Sequence, residues 1–138
     1  MEIARKILEG KGYTCVLQKG EILYTATERG VKPLVRWLSE GVDARGFSAA
    51  DKVVGKATAY LYCLLGVKEV WAGIMSISAR DVLTRHGIST SQGTLVESII
   101  NRQGTGICPF EAAVLDIHTP EEALAAIREK MQEMNITL

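Results

Sequence analysis

This sequence has no surplus charge, long apolar run or metal-binding motif, and each absence removes a class of function. Of 138 residues, 16 are basic and 16 acidic, so the formal net charge at pH 7 is zero. A balanced chain has no broad electrostatic pull toward nucleic acid or an anionic bilayer, although a local basic pocket stays open to it. Neither nucleic acid nor membrane is therefore expected as a partner. The most apolar stretch, 57–67, contains Thr58, Tyr60 and Tyr62 and is too short to span a bilayer. The N-terminus, MEIARKILEG, lacks the apolar core and small-residue cleavage site of a secretory signal. The three cysteines are far apart, in a chain long enough to hold a core without staples. Reduced thiols and a cytoplasmic location are the expectation. Two histidines and three cysteines form no C-x-x-C and no H-x-x-x-H, so neither a zinc site nor any cofactor is expected. No Pro/Ser-rich tract or internal repeat marks a boundary, which predicts one domain over 1–138.

What is present is an ordinary globular composition, 47% hydrophobic. Ile3, Ile7 and Leu8 are spaced for a short helix ending near Gly10 or Gly12. YTCVLQ and EILYTA, separated by Lys19-Gly20, read as a hairpin. Leu34, Trp37 and Leu38 mark a helix with Pro33 in its first turn. Ser48 with Asp51 resembles a capping box, predicting a helix from Ser48 to Leu65 that stops at Gly66. KEVWAGI (68–74) reads as a central strand. Ser76 or Ser78 caps a helix over 79–86, closed by Gly87, and 88–90 suits a short strand. Residues 94–100 favour helix through Leu95, Ile99 and Ile100. Pro109 opens PFEAAVL, and Thr119-Pro120-Glu121-Glu122 is a strong helix start. The pattern predicts an α/β domain: α-β-α layers, one mixed sheet flanked by helices.

Two segments carry the candidate chemistry. In the predicted helix, Lys52 and Lys56 share a face, an unfavourable place for lysine near a helix start, and Gly55 interrupts the interior. A small anionic ligand held at that N-terminus by Ser48, Asp51, Lys52 and Lys56 would account for both. The plainer reading has solvated lysines and a glycine that makes room for a neighbour. The second segment is NRQGTGICPFE. Gly104, Thr105 and Gly106 form a tight loop that exposes backbone N–H groups, and Arg102 suits a carboxylate or phosphate. Cys108 precedes Pro109 at a helix start, and Glu111 suits an acid, a base or a cap. The alternative is a turn with an inert cysteine and a capping glutamate. The phosphate-loop spacing G-x-x-x-x-G-K-[ST] is absent. Cys15 and Cys63 read as core, His86 and His118 as helix-end and surface groups, and Arg80, Asp81 and Arg85 as a solvated face. Arg29 and Lys32 add basic groups in a loop that reads first as a surface turn and second as a pocket border.

The blocks RGVKPL, AADKVVGKATA and NRQGTGICPFE, in that order, resemble an uncharacterised prokaryotic family, a domain of unknown function. The resemblance covers nearly the whole chain. It implies a cytidine-deaminase-like fold and a pocket at the start of the central helix. The zinc deaminases of that fold draw on H/C-x-E at that helix and P-C-x-x-C after the next strand. Here the matching stretches are Ser48–Lys52 and Met75–Arg80, without a thiol or imidazole, so zinc-activated water is not implied.

Three functions stay open. The first is a binding domain for a small anionic, nucleotide-like or phosphate- or carboxylate-bearing ligand. The second is a metal-independent enzyme with Cys108 as nucleophile, or Asp51 and Glu111 as acid and base, and Lys52 steadying charge. The third is a homodimeric interaction protein with Trp37 or Trp71 at its interface.

Overall fold

The computed structural model describes residues 2–100, 104 and 106–138. Along the chain run α1 (Glu2–Lys11), β1 (Cys15–Lys19), β2 (Ile22–Ala26), α2 (Lys32–Ser39), β3 (Ser48–Val54), α3 (Lys56–Leu65), β4 (Glu69–Ser76), α4 (Ile77–Arg85), β5 (Ser89–Val96), α5 (Pro109–Ala113) and α6 (Pro120–Glu133). The strands form one sheet in the order β2-β1-β3-β4-β5. β1 is antiparallel to β2 and β3, while β3, β4 and β5 are parallel. The expected mixed sheet flanked by helices is thus present. α1 covers one face, burying Ala4 and Leu8 against Val16, Ala50 and Trp71. The larger core lies on the other face, where α2, α3, α4 and α6 meet Leu17, Ala49, Val70 and Ala72.

Local signals placed several elements correctly. The hairpin turns at Gly20, whose φ of 59° suits glycine. Ser76 Oγ accepts from the Ala79 N–H at 3.1 Å, starting α4. Thr119 Oγ1 accepts from the Glu122 N–H at 3.3 Å, starting α6. Both N-caps follow the expected chemistry. Among the described residues, no helix is long and apolar enough to cross a membrane. Trp37 and Trp71 are buried within the chain, which leaves neither free for an interface. Trp37 meets Tyr24 edge-on at 6.1 Å between ring centroids, and the Arg5 guanidinium lies 4.5 Å over Trp71.

Two expectations are corrected. Ser48–Val54 is not the first half of a helix but the central strand β3, and α3 begins at Lys56 behind an extended Gly55. Alanine at 49 and 50 favours helix locally, yet here each small side chain faces a helix layer, one on either side of the sheet. Pairing with both β1 and β4 outweighs the local preference. Lys52 and Lys56 therefore share no helix face, and Asp51 caps no helix. Residues 94–96 continue β5 rather than opening a helix, because the parallel ladder extends as far as Ser76 opposite Val96.

The parallel strands bend together at one row. Asp51 pairs with Ala72 and Val53 with Ile74, and these pair onward with Gln92 and Thr94. Between them lie Lys52, Gly73 and Gly93. A Cβ on Gly73 would stand 3.0 Å from the Lys52 carbonyl oxygen, and one on Gly93 would stand 2.9 Å from that of Gly73. The face alternation changes phase here. Ala49 and Ala72 face the large core before the row, Val54 and Met75 after it, while Lys52 and Val53 are exposed. The register stays one-to-one through this row, so the change of phase is shared by the three strands and no strand carries an extra residue. Gly73→Ala is expected to lower stability by about 1–3 kcal/mol, since backbone rather than a flexible side chain must move. Urea unfolding beside the exposed control Ser91→Ala checks this; equal midpoints for both variants would refute the close-approach account.

Candidate functional site

The bend in β3 opens a cavity of about 450 Å³ between the end of that strand, the start of α3 and the segment around α5. Asp51, Lys52, Val53 and Gly55 line it from β3 and its exit, Ala57 and Thr58 from α3, and Phe110 and Glu111 from α5. Thr14, Arg29, Gly30, Val31, Ile99, Ile100 and Cys108 complete the wall. The carboxyl end of a strand entering a helix is a usual ligand position in open α/β sheets.

Glu111 settles how the two candidate segments meet. Its Oε1 accepts from the Lys56 N–H at 2.8 Å and its Oε2 from the Ala57 N–H at 2.9 Å. A side chain 55 residues away in sequence thus caps α3 and complements its dipole. Gly55 is required for this: a Cβ there would lie 2.5–2.7 Å from the three atoms of the Glu111 carboxylate. Its φ of −101° is open to any residue, so the demand is for space. Burial raises the Glu111 pKa, against the pull of the two N–H donors and of Lys56. The same segment is fastened twice more, by Lys56 Nζ donating to the Leu115 carbonyl at 3.0 Å and Tyr60 OH donating to that of Ile117 at 3.0 Å.

Asp51 anchors a buried chain of polar groups. Tyr62 OH donates to Asp51 Oδ2 at 2.6 Å, and Cys15 Sγ lies 3.0 Å from the same hydroxyl. Asp51 Oδ1 accepts from the Val53 N–H at 3.3 Å, bracing the bend. Burial pushes the Asp51 carboxyl up to about 7, although these hydrogen bonds favour its charged form. Burial also raises the Cys15 thiol and the Tyr62 phenol well above their ordinary values, so both stay neutral.

The structure brings together Asp51, Lys52, Cys108 and Glu111, all lining the cavity. Lys52 also borders a shallow cleft with Leu8, Glu9 and Trp71 beside α1. Ser48 lies at the opposite end of β3, donating to Glu69 Oε2 at 2.5 Å. The Lys56 ammonium turns to Leu115, and the two N–H groups that an external anion would use at the start of α3 are held by Glu111. Anchoring by Ser48 and Lys56 at the helix start is thereby corrected. Gly104 and Gly106 are exposed, beyond the pairing of Ile100 with Ile107. Arg102 and Thr105 lie outside the described residues. Thr14, Thr58 and Tyr62 escaped the sequence reading because nothing local marks them. Arg29 had a signal in the RGVKPL block but read first as a surface turn. Among the described residues, no group of three or more His, Cys, Asp or Glu could hold a metal ion.

The protein is thus an α/β domain whose mixed five-stranded sheet carries a carboxyl-lined cavity at the junction of β3 and α3. It belongs to the DUF1893 family (TM1506), a domain of unknown function, whose sequence pattern matches residues 3–131. A crystal structure of a DUF1893 family protein, TM1506 from Thermotoga maritima, superposes with a TM-score of 0.87 at 27% identity, covering 94% of this chain and 88% of that one. A diaminohydroxyphosphoribosylaminopyrimidine deaminase/5-amino-6-(5-phosphoribosylamino)uracil reductase from the same organism reaches a TM-score of 0.43 at 18% identity, over 67% of this chain and 35% of that one; this likeness is too slight to argue from. Among curated proteins none matches the chain.

Proposed function

We propose that this protein binds a small anionic molecule, nucleotide-like or otherwise phosphate- or carboxylate-bearing, in the cavity between β3, α3 and α5. The observation that carries the reading is the cavity itself. About 450 Å³ is within the usual range for small-molecule sites, and its wall joins apolar side chains (Val31, Ile99 and Phe110) to a few polar ones. Arg29 and Lys52 supply positive charge where the wall reaches solvent. The anion sits at the cavity mouth rather than at the helix N-terminus, since Glu111 already serves the helix.

Thermal denaturation with millimolar nucleoside monophosphates and aromatic carboxylates tests it. At least one should raise the melting temperature by a few degrees, as expected for a ligand that binds only the folded state. Arg29→Ala or Lys52→Ala should weaken that ligand roughly tenfold, the scale of one charge-assisted contact. No shift with any of these compounds, or shifts indifferent to both substitutions, would overturn the reading.

A further inference from the structure

The inner wall of the cavity differs from its mouth in a way that constrains the other end of a ligand. Arg29 and Lys52 are exposed, whereas Asp51 and Glu111 are more than nine-tenths buried. The inner side chains mostly accept hydrogen bonds. Each Glu111 oxygen receives one backbone N–H and keeps a further acceptor position. Asp51 Oδ1 receives a long bond, 3.3 Å, from the Val53 N–H, and the Lys52 N–H also favours the charged carboxylate. Thr14 Oγ1 turns its hydroxyl toward the Glu28 carbonyl at 2.6 Å and the Ala26 carbonyl at 3.1 Å, leaving its lone pairs. Thr58 adds a hydroxyl that serves either role.

We propose that the inner end of this cavity, where Asp51 and Glu111 line the wall, receives a group rich in N–H donors, such as a primary amine, an amidine or a guanidine. The inference rests on the binding reading above and extends it. The full ligand then carries an N–H-bearing cationic group at one end of a compact apolar body and its anion at the other. A ligand bearing only an anion would offer no donor to the acceptor positions that Asp51 and Glu111 present in the cavity wall.

Among the described residues, the charged and titratable groups around Asp51 or lining its cavity are Cys15 on β1, Tyr62 on α3, Glu111 on α5, Cys108 just ahead of α5, Arg29 ahead of α2 and Lys52 on β3 itself. Cys15 and Tyr62 stay neutral. Because burial pushes Asp51 up to about 7, a cation that binds the ionised form competes with a proton below that pH. Affinity for such a cation should rise with pH, approaching tenfold per unit below about 7, and level off above it.

Calorimetric titration with three one-ring probes separates the possibilities: benzamidine has the donor end, benzoate the anionic end, and 4-(aminomethyl)benzoate both. The expected order is 4-(aminomethyl)benzoate tightest. Asp51→Asn should weaken benzamidine at least tenfold, with little change for benzoate. The pH profile of benzamidine binding, read on the unaltered protein, gives a second test independent of that variant. Benzoate binding with benzamidine inert, or benzamidine affinity that ignores both Asp51→Asn and pH, overturns the donor-group inference and leaves the anionic reading standing. Benzamidine binding with benzoate inert and 4-(aminomethyl)benzoate no tighter does the reverse. If no probe binds at millimolar concentration, both fall.

Discussion

Gly55→Ala is expected to lower the free energy of unfolding by about 2–4 kcal/mol, a large effect for one methyl group at a position whose backbone accepts any residue. The new Cβ would stand 2.5–2.7 Å from the Glu111 carboxylate and expel it from the start of α3. Two charge-assisted hydrogen bonds are then lost, and the Lys56 and Ala57 N–H groups must find other partners beside a mostly apolar wall. Glu111→Ala should cost a similar amount, because it removes the same two bonds from the other side. The double variant distinguishes this account from general damage. With Glu111 truncated, the space beside residue 55 is free, so adding Gly55→Ala should cost less than about 1 kcal/mol. A double-mutant cycle by urea denaturation should therefore show a coupling of about 1–4 kcal/mol, by the usual arithmetic of groups in contact. Simple additivity would show that Gly55 and Glu111 act independently.

Stability should also fall as the pH rises from about 4 to about 7, in a component that Asp51→Asn abolishes. The sign follows from where the proton sits. Burial pushes the folded-state pKa of Asp51 up to about 7, from an ordinary aspartate value near 3.9 in the unfolded chain. Between those values the folded protein holds a proton that the unfolded chain has released, so raising the pH favours unfolding; above about 7 the slope vanishes. A shift of about three units corresponds to at most about 4 kcal/mol. Asparagine keeps an acceptor for the Tyr62 hydroxyl but carries no charge. Relative to the unaltered protein it should lose a little stability at pH 4, through the Val53 N–H contact, and gain about 2–4 kcal/mol between pH 4 and pH 8. Glu111 is also raised by burial and contributes a slope of the same sign, but it is present in both proteins and cancels in the comparison. Parallel stability curves over that range would mean that Asp51 ionises in the folded protein as it does in the unfolded chain.

Both predictions concern residues that the sequence marked and whose partners it did not reveal. Asp51, Gly55 and Glu111 stood out because each was locally awkward or chemically capable. Their actual roles are to brace a sheet bend, to clear space and to cap a helix. The misassignment of Ser48–Val54 has the same origin. Ser48 and Asp51 resemble a capping box and Ala49 and Ala50 favour helix locally, and the strands on either side of them make this segment a strand.

Which features can be read from the sequence follows contact distance along the chain. The N-caps Ser76 and Thr119 bond three residues ahead, and the hairpin closes at Gly20 between adjacent strands; such features are legible because both partners lie in one short window. The absence of zinc motifs is legible for the same reason. The cavity is built from contacts that no window contains: Glu111 to Lys56 across 55 residues, Cys15 to Tyr62 across 47, and Asp51 to Tyr62 from a strand to the helix after it. Whether a carboxyl is a cap, a brace or a ligand group depends on burial and on which donors reach it. Those are properties of the folded chain, so local patterns reveal the α/β class and the candidate residues, while long-range packing sets their chemistry.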